Sequence, residues 1–344
     1  MTKMAWRATC IQMRSSIASL ADGRKAARKV IDDNLGRAVR LIESACRAER
    51  VPDLVVIPEF ALQGPPHGET PEEWIDKACE PIPGTITHRL QELARRKSIF
   101  VAGNQFDTDA RWPGRFFNTC FLIDRAGDVI LTFRRINTAM WTSPHDFMDA
   151  YLAEVGLEGA FPVAETELGR IAVLACGEIA VPEVARVFMM RGAEILLHPT
   201  NDEGNAGLEA AKVARAAENM CFVVSANVAG GIGFSKDGSV QGGRSHIIDY
   251  LGRSLAFEGS ASETTEVSAE IDLRGLREAR SDAGMGNNLA RARWDMYRPF
   301  YASAVGYPPN QFLAMPMKDV SATVPIVHSS IDALARVGVI HRSA

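Results

Sequence analysis

The six cysteines, at positions 10, 46, 79, 120, 176 and 221, include no CxxC pair. Disulfide frameworks and zinc sites depend on such spacing. Their scatter therefore points to free thiols in a reducing cytoplasm. The seven histidines include no HxxxH pair, so no metal site is implied. No apolar run approaches the roughly 18 residues that a membrane span needs. The opening MTKMAWRATCIQM lacks the long apolar region of a secretory leader. No lysine and arginine stripe stands out and the net charge is −4, so neither nucleic acid nor membrane is an expected partner.

What is present is an ordinary globular balance: 344 residues, 47% hydrophobic and 23% charged. Strand-like and helix-like runs alternate. WRATCIQM reads as a strand, residues 23–48 as a long helix, and LVVI at 54–57 as a strand buried on both faces. Residues 85–97 read as a helix and SIFVAG as the next strand. FFNTCFLID and VILTF flank the glycine turn DRAGD and form a hairpin. The order then repeats. IAVLA is a strand, 181–191 a helix, EILLHP a strand, 207–219 a helix and FVVSANV a strand, with SHIIDYLGRSLAF as a second hairpin. Two copies of a βαβ unit plus hairpin, with no linker between them, predict a pseudo-symmetric α/β core of two sheets with helices outside, αββα in layers. Residues 1–283 form this body. Residues 284–344 lack a steady period and read as a tail that packs on the body or on a partner subunit. A "GGIG" run at 230–233 precedes a polar turn rather than a helix, so it reads as a pocket rim and not a phosphate loop.

Three positions could carry chemistry. Cys176 ends the strand IAVLA, and a helix follows from Pro182, a residue suited to a first helical turn. Ligands of α/β sheets collect at that carboxyl edge. Cys176 is thus a candidate nucleophile, with the backbone N–H of Gly177 free to meet an oxyanion; the alternative is a small core thiol. Glu59 follows LVVIP at another strand's carboxyl end. Partial burial would raise its pKa toward that of a general base; the alternative is an exposed loop carboxylate. Arg134 and Arg135 end the first hairpin, where a cation could stabilise an oxyanion or simply cap the turn.

Together these residues resemble the nitrilase superfamily of carbon–nitrogen hydrolases, over roughly residues 5–280. LVVIPEF looks like its glutamate motif, and GRIAVLACGEIAVPEVARVFMMRGAEILLHP like its cysteine motif. FNTCFLIDRAGDVILTFRR looks like the segment leading to the catalytic lysine. RAAENMCFVVSAN and GGRSHIIDYLGR match the framework beyond. The resemblance implies an αββα fold, Cys176 as nucleophile, Glu59 as general base, no cofactor, a small-molecule amide as substrate, and a homodimer or higher homo-oligomer.

The chain departs from that pattern in three places. Phe133-Arg134-Arg135 stands where the family has Tyr-Arg-Lys, so Arg135 takes the lysine's place. Arginine is planar and always charged; it can hold an oxyanion but cannot carry a proton. Gly177 replaces a common aromatic residue and is expected to leave space for a bulkier acyl group. The family's second glutamate has no firm counterpart; Asp149 is the best match and Glu154 its rival. Thr200 and Asn201, with His198, are expected to line the substrate pocket, Asn118 to be structural and Glu178 to brace its loop. LRGLREARSDAGMGNNLARARWDMY is similar to the stretch after the last strand of aliphatic amidases and formamidases, which favours small-amide hydrolysis. N-carbamoyl hydrolysis, nitrile hydrolysis, acyl transfer, and a silent homologue that only binds a small molecule or protein remain alternatives.

Overall fold

The computed structural model describes residues 2–202, 204–230, 232 and 242–341. In chain order its strands are β1 (Ala5–Gln12), β2 (Leu54–Val56), β3 (Phe100–Thr108), β4 (Phe116–Ile123), β5 (Val129–Arg134), β6 (Ala164–Thr166), β7 (Gly169–Val173), β8 (Ile195–Thr200), β9 (Phe222–Asn227), β10 (His246–Ile248), β11 (Ser254–Phe257) and β12 (Thr264–Asp272). The longer helices are α1 (Gly23–Ala45), α2 (Pro71–Lys77), α3 (Thr85–Lys97), α4 (Met148–Ala160), α5 (Pro182–Met190), α6 (Ala206–Asn219), α7 (Leu273–Ser281), α8 (Trp294–Ala302) and α9 (Val324–Arg336). Among the described residues no helix is long and apolar enough to cross a membrane.

The strands form two six-stranded mixed sheets, ordered β12-β1-β2-β3-β4-β5 and β11-β10-β9-β8-β7-β6. In each, three strands run parallel (β1, β2, β3; β7, β8, β9), a hairpin extends one side, and a single antiparallel strand closes the other. The sheets pack face to face, β1 on β9, β2 and β3 on β8, and β4 on β7. This is the expected doubled βαβ-plus-hairpin unit. The repeat extends to the turns. Asp124 Oδ1 accepts from the amides of Ala126 and Asp128, and Asp249 Oδ1 from those of Leu251 and Arg253. Gly127 (φ +85°) and Gly252 (φ +79°) supply the left-handed residue in each turn.

Side-chain alternation decides which layer a residue enters. On β2, Leu54 and Val56 face the space between the sheets, while Val55 and the following Ile57 face the helical layer. There α3 presents Ile86, Leu90 and Leu93, all buried, at the spacing of one helical face. Each such side chain contributes about 1.5–3 kcal/mol on burial. Helix α3 ends at Ser98, in the left-handed conformation that stops helices.

Two elements had no signal at the sequence level. TTEVSAEID has only one apolar face (Val267, Ala269, Ile271) and becomes β12, an edge strand on β1. Residues 148–160 form α4, interrupted at Gly156, where φ is +66°. Part of the tail lies against the body: the amides of Asn310 and Phe312 donate to the carbonyls of His145 and Asp146, at 3.0 and 2.8 Å. Helix α8 buries none of its residues and exposes Met296, Phe300 and Tyr301.

Candidate active site

All three parallel strands of each sheet, and β5, deliver their carboxyl ends to one edge of the sandwich. Glu59 follows β2, Arg135 follows β5, Cys176 follows β7, and Thr200 and Asn201 end or follow β8. The fold therefore brings together residues far apart in sequence, as the strand-end argument predicts.

Glu59 is completely buried. Its Oε1 accepts from Asn118 Nδ2 at 2.8 Å and from Arg135 Nη1 at 3.4 Å. Oε2 has no partner of ordinary hydrogen-bond geometry among the described residues. Even so, the Cys176 thiol and the Asn201 backbone lie close enough to lower the pKa of the carboxyl. Burial outweighs them, together with Arg135 and Asn118, and the pKa stands above the usual glutamate value. Asn118 is more than structural: it donates to Glu59 while its Oδ1 accepts from Asn104 Nδ2, and Asn104 Oδ1 accepts the Phe60 amide at 3.3 Å.

Cys176 begins a 3₁₀ turn, Cys176–Ala180, and has φ +36°, a backbone region that non-glycine residues rarely adopt. Its thiol approaches the Asn201 carbonyl at 3.6 Å. Burial and then the Glu59 charge push the thiol pKa up to about 12; Arg135, Thr200 and Asn201 pull against this. The resting group is therefore a thiol, and attack requires a base. Gly177 lies in the first turn of the segment, where helix geometry offers its N–H no acceptor.

Arg134, the last residue of β5, and Arg135, which follows it, point to opposite sides, as consecutive residues of extended chain do. Arg134 is held by Asp107 (2.9 Å) and Asp109 (3.0 Å), with its guanidinium 4.3 Å from the Phe117 ring centre, away from the site. Arg135 lies 5.6 Å over the Trp141 ring and beside Glu59. Burial works against its charge, but Glu59 and Cys176 more than offset this, so the pKa stands above the usual arginine value. The sequence had implied open space beside Gly177 for a larger acyl group, but the Arg135 guanidinium occupies it. Arg135 Nη2 would lie 2.7 Å from a β-carbon placed there. Glu178 braces its loop as expected, and it braces the arginine's loop too. Its carboxylate accepts the amides of Ile136 (2.5 Å) and Asn137 (3.0 Å) and the Asn137 side chain (2.7 Å).

The substrate-contact residues separate. Thr200 Oγ1 is buried beside the thiol, whose pKa it lowers, and has no ordinary hydrogen-bond partner among the described residues. The Asn201 side chain is tied to the backbone of Ile232, with 3.1 Å from Nδ2 to the carbonyl and 3.3 Å from the Ile232 amide to Oδ1. Only its backbone faces the thiol. Ile232 belongs to the glycine run read as a pocket rim; Gly231, Gly233 and residues 234–241 lie outside the described residues. Asp149 is exposed at the start of α4, where its amide donates to Asn310 Oδ1 at 3.0 Å, and Glu154 is exposed and paired with Arg111. Both lie outside the buried cluster, because α4 turns their side chains to the surface. The buried acid of this segment is Asp146, whose pKa burial raises to about 6. With Asn137, Ser143, His145 and Tyr307 it lines a cleft of about 480 Å3 beside the loop after Arg135. Sequence spacing could not separate Asp146 from Asp149; the Ser143-Pro144 start of a 3₁₀ turn, which orients Asp146 inward, was the available signal.

Two mixed six-stranded sheets layered between helices define the nitrilase-type four-layer sandwich. The chain belongs to the carbon–nitrogen hydrolase family, whose model matches residues 7–281. It is 29% identical over 254 residues to omega-amidase NIT2 of Xenopus tropicalis, an alignment covering 73% of this chain and 87% of that protein. Its fold is similar to that of Nit3 of Saccharomyces cerevisiae, a member of branch 10 of the nitrilase superfamily (TM-score 0.63, 18% identity, 83% of this chain and 96% of that one). It is similar also to an amidase from Nesterenkonia sp. (TM-score 0.62, 19% identity, 86% and 96%).

Proposed function

We propose that the chain hydrolyses the carbon–nitrogen bond of a small amide through a thioester on Cys176. The observation that carries this reading is one buried cluster at the strand ends that holds a thiol, a carboxyl with raised pKa and a fixed cation. The likeness to proteins named omega-amidase supports the amide as substrate class.

The chemistry follows from the ionisation states. Glu59, as carboxylate, takes the thiol proton while sulfur attacks the carbonyl carbon. The carbonyl's π electrons become an oxyanion, met by the Arg135 guanidinium and the Gly177 N–H. Collapse expels the nitrogen, which receives the proton held by Glu59. Water then gives a proton to Glu59 and adds to the thioester; the carbon–sulfur bond breaks, the acid leaves, and the proton returns to sulfur. Arg135 takes no proton in this scheme, so all transfer passes through one carboxyl. Thr200 would contact the substrate beside the thiol; the exposed Asp149 and the tied Asn201 side chain are poor candidates for that role. The exposed Met296, Phe300 and Tyr301 face of α8 is the surface we assign to a second copy, and sedimentation of the full chain tests it.

The test is ammonia release over a panel of small amides, carbamoyl amino acids and nitriles, with wild type beside Cys176→Ala. Release that stops with Cys176→Ala supports the scheme and names the branch. Release that persists in that variant rejects Cys176 as nucleophile.

A further inference from the structure

The peptide group joining Cys176 to Gly177 has two ends that matter. Its N–H belongs to Gly177 and its C=O to Cys176. The bond is trans, so the two point in opposite directions. Whatever fixes the carbonyl therefore aims the amide.

That carbonyl is fixed by His198, a fully buried residue of the central strand β8, whose Nε2 lies 2.9 Å from it. A carbonyl only accepts, so Nε2 carries a proton. Burial, and then the charge of Lys212, hold the ring neutral, with a pKa lowered to about 3. Nδ1 is consequently bare and accepts from Ser225 Oγ at 2.9 Å. Ser225 sits opposite His198 on β9, in register with it. The carbonyl thus sets the tautomer, the strand neighbour Ser225 satisfies the other ring nitrogen, and the ring presents one N–H in one direction. It holds a residue whose φ of +36° would otherwise relax. A bond to the carbonyl also polarises the peptide and strengthens its N–H as a donor.

We infer that His198 is a positioning residue for catalysis: by clamping the Cys176 carbonyl it aims the Gly177 N–H at the oxyanion. This rests on the thiol chemistry proposed above. It adds a residue that touches neither substrate nor sulfur and acts through a peptide plane.

The experiment compares wild type, His198→Leu and His198→Gln in the full chain, with three readouts. The first is kcat and KM on the panel amide that wild type hydrolyses best. The second is the affinity of the aldehyde carrying the same acyl group. Its thiohemiacetal forms when the thiol adds to the C=O, and places an oxygen where the oxyanion develops. The third is the rate of Cys176 alkylation by iodoacetamide, a displacement that creates no oxyanion. His198→Leu is expected to lower kcat and aldehyde affinity together, by about 10–100-fold. KM and the alkylation rate should stay within about two-fold. His198→Gln, which keeps an N–H near the same place, should restore most of the loss. Unchanged kcat, alkylation that falls in step with kcat, or no recovery with glutamine would each overturn the positioning role. Failure of the underlying scheme is separable, because it would show as wild-type hydrolysis that survives Cys176→Ala.

Discussion

The guanidinium of Arg135 stands where a side chain at residue 177 would have to begin, with Nη2 2.7 Å from the position of a β-carbon on Gly177. Two departures from the family pattern, arginine for lysine and glycine for a larger residue, are therefore one structural fact. A guanidinium is wider than an ammonium, and the missing side chain accommodates the difference beside the thiol.

Gly177→Ala should displace the guanidinium, the flexible end of a long side chain, rather than distort the backbone. The expected result is a fall in kcat of about 10–100-fold, short of the roughly 10²–10³-fold that a fully lost oxyanion donor costs because the guanidinium is displaced and not removed, with little change in Tm. Arg135→Lys alone should be impaired because its ammonium leaves a gap. Combined with Gly177→Ala it should be less impaired than the sum of the two single losses. Kinetics of the double-mutant cycle check this; strict additivity would show that the two positions act independently.

The proton route through Glu59 makes a pH prediction. Burial raises its pKa above the usual value, and Arg135 is the foremost group holding it down. Activity requires the carboxylate, so kcat/KM should fall as pH drops through the pKa of Glu59, giving an acid limb above that of an ordinary glutamate. Removing the cation with Arg135→Met should move that limb to higher pH. A limb that stays in place would mean that another group controls it.

Asn118 provides a test of stability as well as of ionisation. Asn118→Leu keeps roughly the volume but removes the donor to Glu59 and the acceptor for Asn104, both buried. Asn104 Nδ2 keeps the Thr119 carbonyl at 3.2 Å and Glu59 Oε1 keeps Arg135 at 3.4 Å, so each group is left underpaired and not bare, at a combined cost of about 1–3 kcal/mol. Urea denaturation should show a loss of that order, and the acid limb should again move up. Full stability would indicate that water or rearrangement satisfies both partners.

The double βαβ-plus-hairpin layout was legible because it is written in local periodicity and in two Asp-x-x-Gly turns. Glu59, Cys176 and Arg135 were legible because strand ends sharing one direction collect at one edge. Asn118, His198 and Asp146 were not, because their roles are hydrogen bonds and burial set between strands distant in sequence. Helix α5 lies between Cys176 and His198 in the chain. Asp149 was misplaced because a one-turn difference on an unforeseen helix decides between buried and exposed. Gly177 was read alone, when its meaning depends on the side chain opposite.

The neutral burial of His198 carries a stability consequence of its own. Its pKa is lowered from 6.5 to about 3 in the folded chain, so below pH 6.5 the unfolded chain takes up a proton that the folded chain refuses. Its contribution is complete above the unfolded pKa and is lost as pH falls toward the folded one. Between about pH 7.5 and about pH 5 that loss is about 2 kcal/mol from this residue. Other groups titrate over the same interval, so the informative quantity is the difference between variants. Unfolding free energies of wild type and His198→Gln at both pH values should diverge, with the glutamine variant losing about 2 kcal/mol less on acidification. Equal losses would mean that the imidazole accepts a proton inside the fold. It would then have two N–H groups, Ser225 would have to turn its hydroxyl into an acceptor, and the single fixed tautomer facing the Cys176 carbonyl would no longer hold.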